Sequence, residues 1–116
     1  MNERLRSCIA DAEGAGELEG ASRGAAEHPV CGDVMQIDVR VADGQVADLA
    51  WKAQGCPATM AVASVLSRAW VGKPVGELEN SLTQVLDSLG GLKPHERHAQ
   101  KLALRAFDDA QPGVRR

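Results

Sequence analysis

Between Met35 and Ala53, apolar and polar residues alternate with a period of two. Met35, Ile37, Val39 and Val41 are interleaved with Gln36, Asp38 and Arg40, and Ala47, Leu49, Trp51 and Ala53 with Asp48 and Lys52. That period places one set of side chains on a single face of a half-buried strand. Residues 34–53 are therefore predicted to form a β-hairpin, with Asp43-Gly44 as its turn signal. A two-residue loop would set Val39 against Asp48 and Met35 against Lys52. A three-residue loop sets Val41 against Ala47, Val39 against Leu49 and Ile37 against Trp51. Directly opposed residues share a face, so the three-residue loop is the expected one.

Downstream the period lengthens to that of a helix. Pro57 fits a first helical position, and Met60, Ala61, Ser64, Val65, Arg68 and Ala69 carry the pattern to Trp70, with Gly72 as a stop. Leu78, Leu82, Val85, Leu86 and Leu89 predict a second helix over 75–89, ended by Gly90-Gly91. A third runs from Pro94 to Ala110 on Leu102, Ala103, Ala106 and Phe107. Near the start, Leu5, Cys8 and Ile9 predict a short helix over 2–12, followed by a Gly-rich stretch with one weak edge strand near 21–26. The expected fold is α+β: a small antiparallel sheet packed against helices. It forms one domain over residues 1–116, with a flexible N-terminal segment at 1–27 and a tail at 111–116.

Composition narrows the function classes. The 116 residues are 44% hydrophobic and 25% charged, with 13 basic against 16 acidic side chains. A net charge of −3 weakens the case for a nucleic-acid surface, which normally shows a basic patch or stripe, and two tryptophans, one phenylalanine and no tyrosine leave no stacking platform for bases. No apolar run approaches membrane-spanning length. Three cysteines, an odd and sparse set, make no disulfide framework, and no signal segment opens the chain, so a cytoplasmic protein with free or metal-bound thiols is expected.

The hairpin gives two of those cysteines a meaning. Its open end brings Cys31, in His28-Pro-Val-Cys-Gly-Asp33, close to Cys56, in Gln54-Gly-Cys-Pro-Ala-Thr59. Asp33 sets a carboxylate two residues from the first thiol, and Cys56 stands at a helix mouth, where unpaired N–H groups favour an anion. Either cysteine alone reads as a small buried residue; opposed in two Gly-containing loops, they read as a site. His98 near the start of the last helix reads on its own as exposed, as do His28 and His95, and Cys8 reads as a core or half-exposed residue. No phosphate loop, nucleophile elbow, Cys-x-x-Cys pair or paired-His zinc motif is present. A Cys, Asp, Cys and His set suits zinc or an iron–sulfur cluster with incomplete thiolate ligation.

On these residues the chain resembles the IscU/NifU-type iron–sulfur cluster assembly scaffolds. The likeness lies in the Pro-x-Cys-Gly-Asp loop at 29–33, the hairpin, Gly55-Cys56 before a helix with Ala61, Ala63 and Ser64, Gly72-Lys73 at its end, and His98 in a segment similar to the family's His-Cys-x-x-Leu-Ala. It covers residues 28–110, and the spacing from Cys56 to residue 99 suits the short IscU form. The resemblance implies the IscU/NifU fold and a non-catalytic scaffold that takes sulfur from a cysteine desulfurase and passes a transient [2Fe–2S] cluster to acceptor proteins. It implies Cys31, Asp33, Cys56 and His98 as cluster or metal ligands, with Asp33 associated with cluster lability. Ala99 stands where the family has its third cysteine, and Leu92 to Glu96 lacks the Leu-Pro-Pro-Val-Lys signal read by Hsc-type chaperones. The other function open to such a site is a fold relative that binds structural zinc or a protein partner without assembling clusters.

Overall fold

The computed structural model describes residues 2–29 and 32–110. A three-stranded antiparallel sheet is formed by β1 (Ser22–Glu27), β2 (Val34–Ala42) and β3 (Gln45–Gln54), in that spatial order. The helices are α1 (Glu3–Asp11), α2 (Pro57–Trp70), α3 (Leu78–Ser88) and α4 (His98–Ala110). Helix α4 packs across β1 and β2, α2 packs on β3, and α1 and α3 flank α2. The α+β expectation therefore holds, and the weak edge strand near 21–26 is β1.

The hairpin departs from expectation at its tip. Asp43 and Gly44 both have positive φ, 56° and 76°, which makes a two-residue turn whose twist matches the flanking strands. Val41 consequently faces Val46, not Ala47, and a bulge follows between Arg40 and Val41. Ala47 is the extra residue. Beyond it the pairing is the expected one, with Val39 opposite Leu49 and Ile37 opposite Trp51. The bulge thus reconciles a tight turn with an apolar face, and it leaves Val41 exposed.

Two predicted helices are each split. Val75–Glu77 and Pro94–Glu96 are single 3-10 turns leading into α3 and α4. Gly76 lowers helix propensity in the first. In the second, the Glu96 carboxylate accepts the Lys93 N–H at 2.9 Å and closes the turn before α4 begins.

The core follows the alternation. Met35, Ile37, Val39, Leu49 and Trp51 meet Ala61, Val62, Val65 and Leu66 of α2 and Leu102, Ala103, Ala106 and Phe107 of α4, all buried. With few large rings available, small residues let backbones approach. Gly24 on β1 is the extreme case: a Cβ there would overlap the Ala110 nitrogen and the Ala106 carbonyl of α4. The Ala25 N–H donates to Asp109 at 3.0 Å, and Arg105 donates to the Glu27 carbonyl at 2.9 Å. Helix α4 is thereby pinned along β1 with its first residue, His98, beyond the strand's end.

The other face of the sheet carries a charged patch. Asp38, 1% exposed, accepts two hydrogen bonds from Arg23, at 2.8 and 3.0 Å, and one from the Leu18 N–H at 3.0 Å. The hydrogen bond from Arg23 holds its carboxyl below the ordinary carboxylate range, against the opposing effect of burial. Residues 14–16 bond the edge of β3 at Trp51, and the Trp51 indole donates to the Glu13 carbonyl at 2.7 Å. The Gly-rich stretch is tied to the sheet at these points.

Candidate metal centre

Three elements converge at the open end of the hairpin. The loop from β1 to β2 is closed by the His28 N–H donating to the Asp33 carbonyl and the Gly32 N–H donating to the His28 carbonyl, both at 2.8 Å. Asp33 follows directly, just before β2, and its side chain is buried. Cys56 caps α2 with extended backbone, φ −70° and ψ 163°, ahead of Pro57. His98 is the first residue of α4.

The Asp33 carboxylate is the hub. Its Oδ2 accepts the Thr59 hydroxyl at 2.8 Å, and its Oδ1 accepts the Cys56 N–H at 3.4 Å. Burial opposes its ionisation, yet the hydrogen bonds from Thr59, from Cys56 and from His98 outweigh that and hold its pKa below the ordinary value. A glycine is needed at Gly55, with φ 153°, because any Cβ would stand 2.5 Å from the Asp33 carboxyl.

His98 has a defined hydrogen-bonding role. Its Nδ1 lies 3.1 Å from the His95 carbonyl, which can only accept, so Nδ1 carries a hydrogen. Its Nε2 then points at Asp33 Oδ2, 3.4 Å away, and at Cys56 Sγ, 3.5 Å away. Fixing one ring nitrogen on a backbone carbonyl leaves the other as a ligand, the usual arrangement at metal-bound histidines.

The donor set fits a metal. One ligand atom from each of Asp33, Cys56 and His98 lies within 4.8 Å of the others. Tetrahedral bonds of zinc to nitrogen, oxygen and sulfur put donors roughly 3.3–3.6 Å apart, close to the two separations at His98. Cys31 lies outside the described residues; it is joined directly to Gly32, two residues from Asp33. Ala99 is wholly buried beside His98.

Other expectations sort differently. His28 was expected to be exposed but is partly buried, with its ring 5.0 Å from that of His98 in an edge-to-face contact. His95 is exposed, and it contributes its carbonyl. Cys8 is buried in the core on α1 and does not belong to the donor cluster. The sequence marks Gly55 only as part of the Gly55-Cys56 pair and does not single out Thr59. Thr59 stands three residues after the Cys56 cap, the third position of a helical first turn, where a hydroxyl can reach back past the cap; that spacing was the available signal.

Comparison with known proteins adds the family context. The sequence model of the NifU-like N terminal domain matches residues 8–112. The iron-sulfur cluster assembly scaffold protein IscU 1 of Archaeoglobus fulgidus is 33% identical over 108 residues, 92% of this chain and 65% of that one. The protein named IscU in Aquifex aeolicus is 31% identical over 110 residues, 91% of this chain and 70% of its own. The chain thus spans about two thirds of the length of these curated relatives. Among solved structures, the N-terminal NifU-like protein of Brucella abortus superposes with a TM-score of 0.76 at 21% identity, covering 97% of this chain and 92% of that one. That likeness speaks for the fold.

Proposed function

The chain belongs to the NifU-like N-terminal domain family, and we propose that it is a scaffold on which iron and sulfide are assembled into a [2Fe–2S] cluster and from which the cluster is passed on. The observation that carries this is the convergence of Asp33, Cys56 and His98, three electron-pair donors from three separate elements, within 4.8 Å. Soft sulfur and imidazole ligands suit iron in such clusters, and the carboxylate is a harder, weaker partner. Cys31 is the fourth ligand, since its loop is the one that carries Asp33. Ala99 supplies no thiolate, so two cysteines share the work with Asp33 and His98. Weak ligation of this kind suits cargo that must be released.

In this role the chain is a carrier that does not itself turn over a substrate. Its sulfur comes from a cysteine desulfurase and its cluster goes to acceptor apoproteins, partners suggested by relatives named as cluster assembly scaffolds. The free thiols Cys8 and Cys56 suit a reducing compartment such as the cytoplasm. No helix among the described residues is long and apolar enough to cross a membrane.

The test is anaerobic assembly with ferrous iron, cysteine, a cysteine desulfurase and a thiol reductant that brings the persulfide sulfur to sulfide, followed by visible absorption. The chain is expected to develop charge-transfer bands that Cys31→Ala and Cys56→Ala each abolish. A flat spectrum at stoichiometric iron refutes the proposal.

A further inference from the structure

On the side of His98 away from α1, a groove of about 330 Å³ runs between the loop after β1 and the outer face of α4. Pro29 and Pro94 form its walls near the metal donors, and Arg97, Lys101 and Arg105 line its length. These three cations recur every four residues, so they stand about 6 Å apart along the helix. All are exposed, and none has a carboxylate within ion-pair distance among the described residues. Arg105 donates to the Glu27 carbonyl, which fixes it at the groove's far end without neutralising it. Glu79 and Asp87 border the adjoining groove on the other side of Arg97 and Lys101 without pairing with them, so in a chain of net charge −3 this groove itself carries three cations and no lining carboxylate.

We propose that this groove docks an acidic segment of a partner protein, laid along α4 so that it ends over His98. Carboxylates at every second position of an extended segment are about 6.7 Å apart, and those four apart on a helix about 6 Å; both match the cation spacing. A protein is the occupant, not a small anion or a nucleic acid, because of what lies across His98. There a cavity of about 640 Å³, lined by Ile9 and Ala10 of α1 and by Pro57 and Ala58 at the start of α2, offers an apolar seat. His98 borders both spaces. A segment with carboxylates followed by one large apolar side chain fills both and covers the donor set, shielding it from water. Charge attraction brings the partner in, and the apolar contact fixes its register. The docking surface does not depend on which metal or cluster the site carries.

The probe is a fluorescein-labelled twelve-residue peptide with alternating aspartates and one C-terminal leucine, followed by anisotropy against the full chain at low and at physiological salt. Saturable binding that weakens with salt is expected, together with a loss of at least tenfold in Arg97→Glu/Lys101→Glu and a smaller loss in Arg97→Gln/Lys101→Gln. Cobalt(II) binding, read from its visible spectrum, is expected to be unchanged in both variants, which shows that they fold and that the metal donors are intact. Replacing the leucine by serine is expected to weaken the peptide further. The inference is overturned if the wild-type chain fails to saturate, if a lysine-for-aspartate peptide binds equally, or if the charge variants bind as wild type does. It is also overturned if citrate or a single-stranded oligonucleotide displaces the peptide at lower concentration than the unlabelled peptide does. A failed cluster assembly with intact peptide binding would count against the scaffold role alone.

Discussion

Gly55 and Asp33 are packed so closely that a β-carbon on the glycine would stand 2.5 Å from the aspartate's carboxyl. The contact lets the carboxylate reach the Cys56 N–H and the Thr59 hydroxyl together. Gly55→Ala is therefore expected to push Asp33 out of the donor set. Overpacking of this kind costs about 1–3 kcal/mol, and the positive φ adds strain. Thermal unfolding should show the loss, and cobalt(II) titration should show weaker binding with altered ligand-field bands. Unchanged bands would mean that Asp33 is not held by this contact.

Thr59 is wholly buried and donates to Asp33 Oδ2. Thr59→Val keeps the shape but removes the donor, leaving a buried carboxylate oxygen short of a partner at a cost of about 1–3 kcal/mol. It also removes one of the hydrogen bonds that lower the Asp33 pKa. The carboxyl is expected to titrate at higher pH than in the wild type, as followed by carbon-detected NMR of its side chain.

Acid should destabilise the fold through Asp33 and Asp38. Both titrate below the ordinary value of 3.8 in the folded chain, so on acidification the unfolded chain takes up protons first. Their contribution is fully present above the unfolded value, near pH 5 and higher, and is lost as pH falls through the folded values. Urea midpoints at pH 7, 5 and 3 are expected to be level between the first two and to drop at the third. In Asp38→Asn, which lacks the carboxylate paired with Arg23, the drop should be shallower from a lower starting point.

Gly24→Ala places a methyl group against the backbone of α4 at Ala106 and Ala110. Here the obstacle is main chain on both sides, so the helix must move or the strand must bend. A loss of about 3 kcal/mol or more is expected, at the upper end for overpacking. Because α4 carries His98, cobalt(II) affinity should fall with stability, although residue 24 lies four positions before His28.

Much of this architecture could be read from periodicity. Alternation from Met35 to Trp51 marks the hairpin's buried face, and leucines at helical spacing mark α3. The tip escaped because uniform register was assumed, whereas a turn with two positive φ values followed by a bulge satisfies both the turn chemistry of Asp43-Gly44 and the apolar pairing. Asp38 reads as an outward polar residue, yet it is buried because residues 17–18 cross that face, a long-range event with no local pattern. In the site, the approach of the loop at Asp33 to Cys56 follows from hairpin geometry alone. The placement of His98 beside them depends on how α4 seats on Gly24, and that contact leaves no spacing signal. Thr59 matters only once the Asp33 carboxylate is located, so it does not stand out along the chain, and Gly55 shows there only as part of the Gly55-Cys56 pair.

The most direct measurement of the central claim is the iron and acid-labile sulfide content of the chain after anaerobic assembly and desalting, with His98→Ala and Cys56→Ala taken through the same procedure. The account predicts equal amounts of iron and sulfide retained by the wild type, less in His98→Ala and none in Cys56→Ala. Iron retained without sulfide, or equal retention in Cys56→Ala, would contradict it.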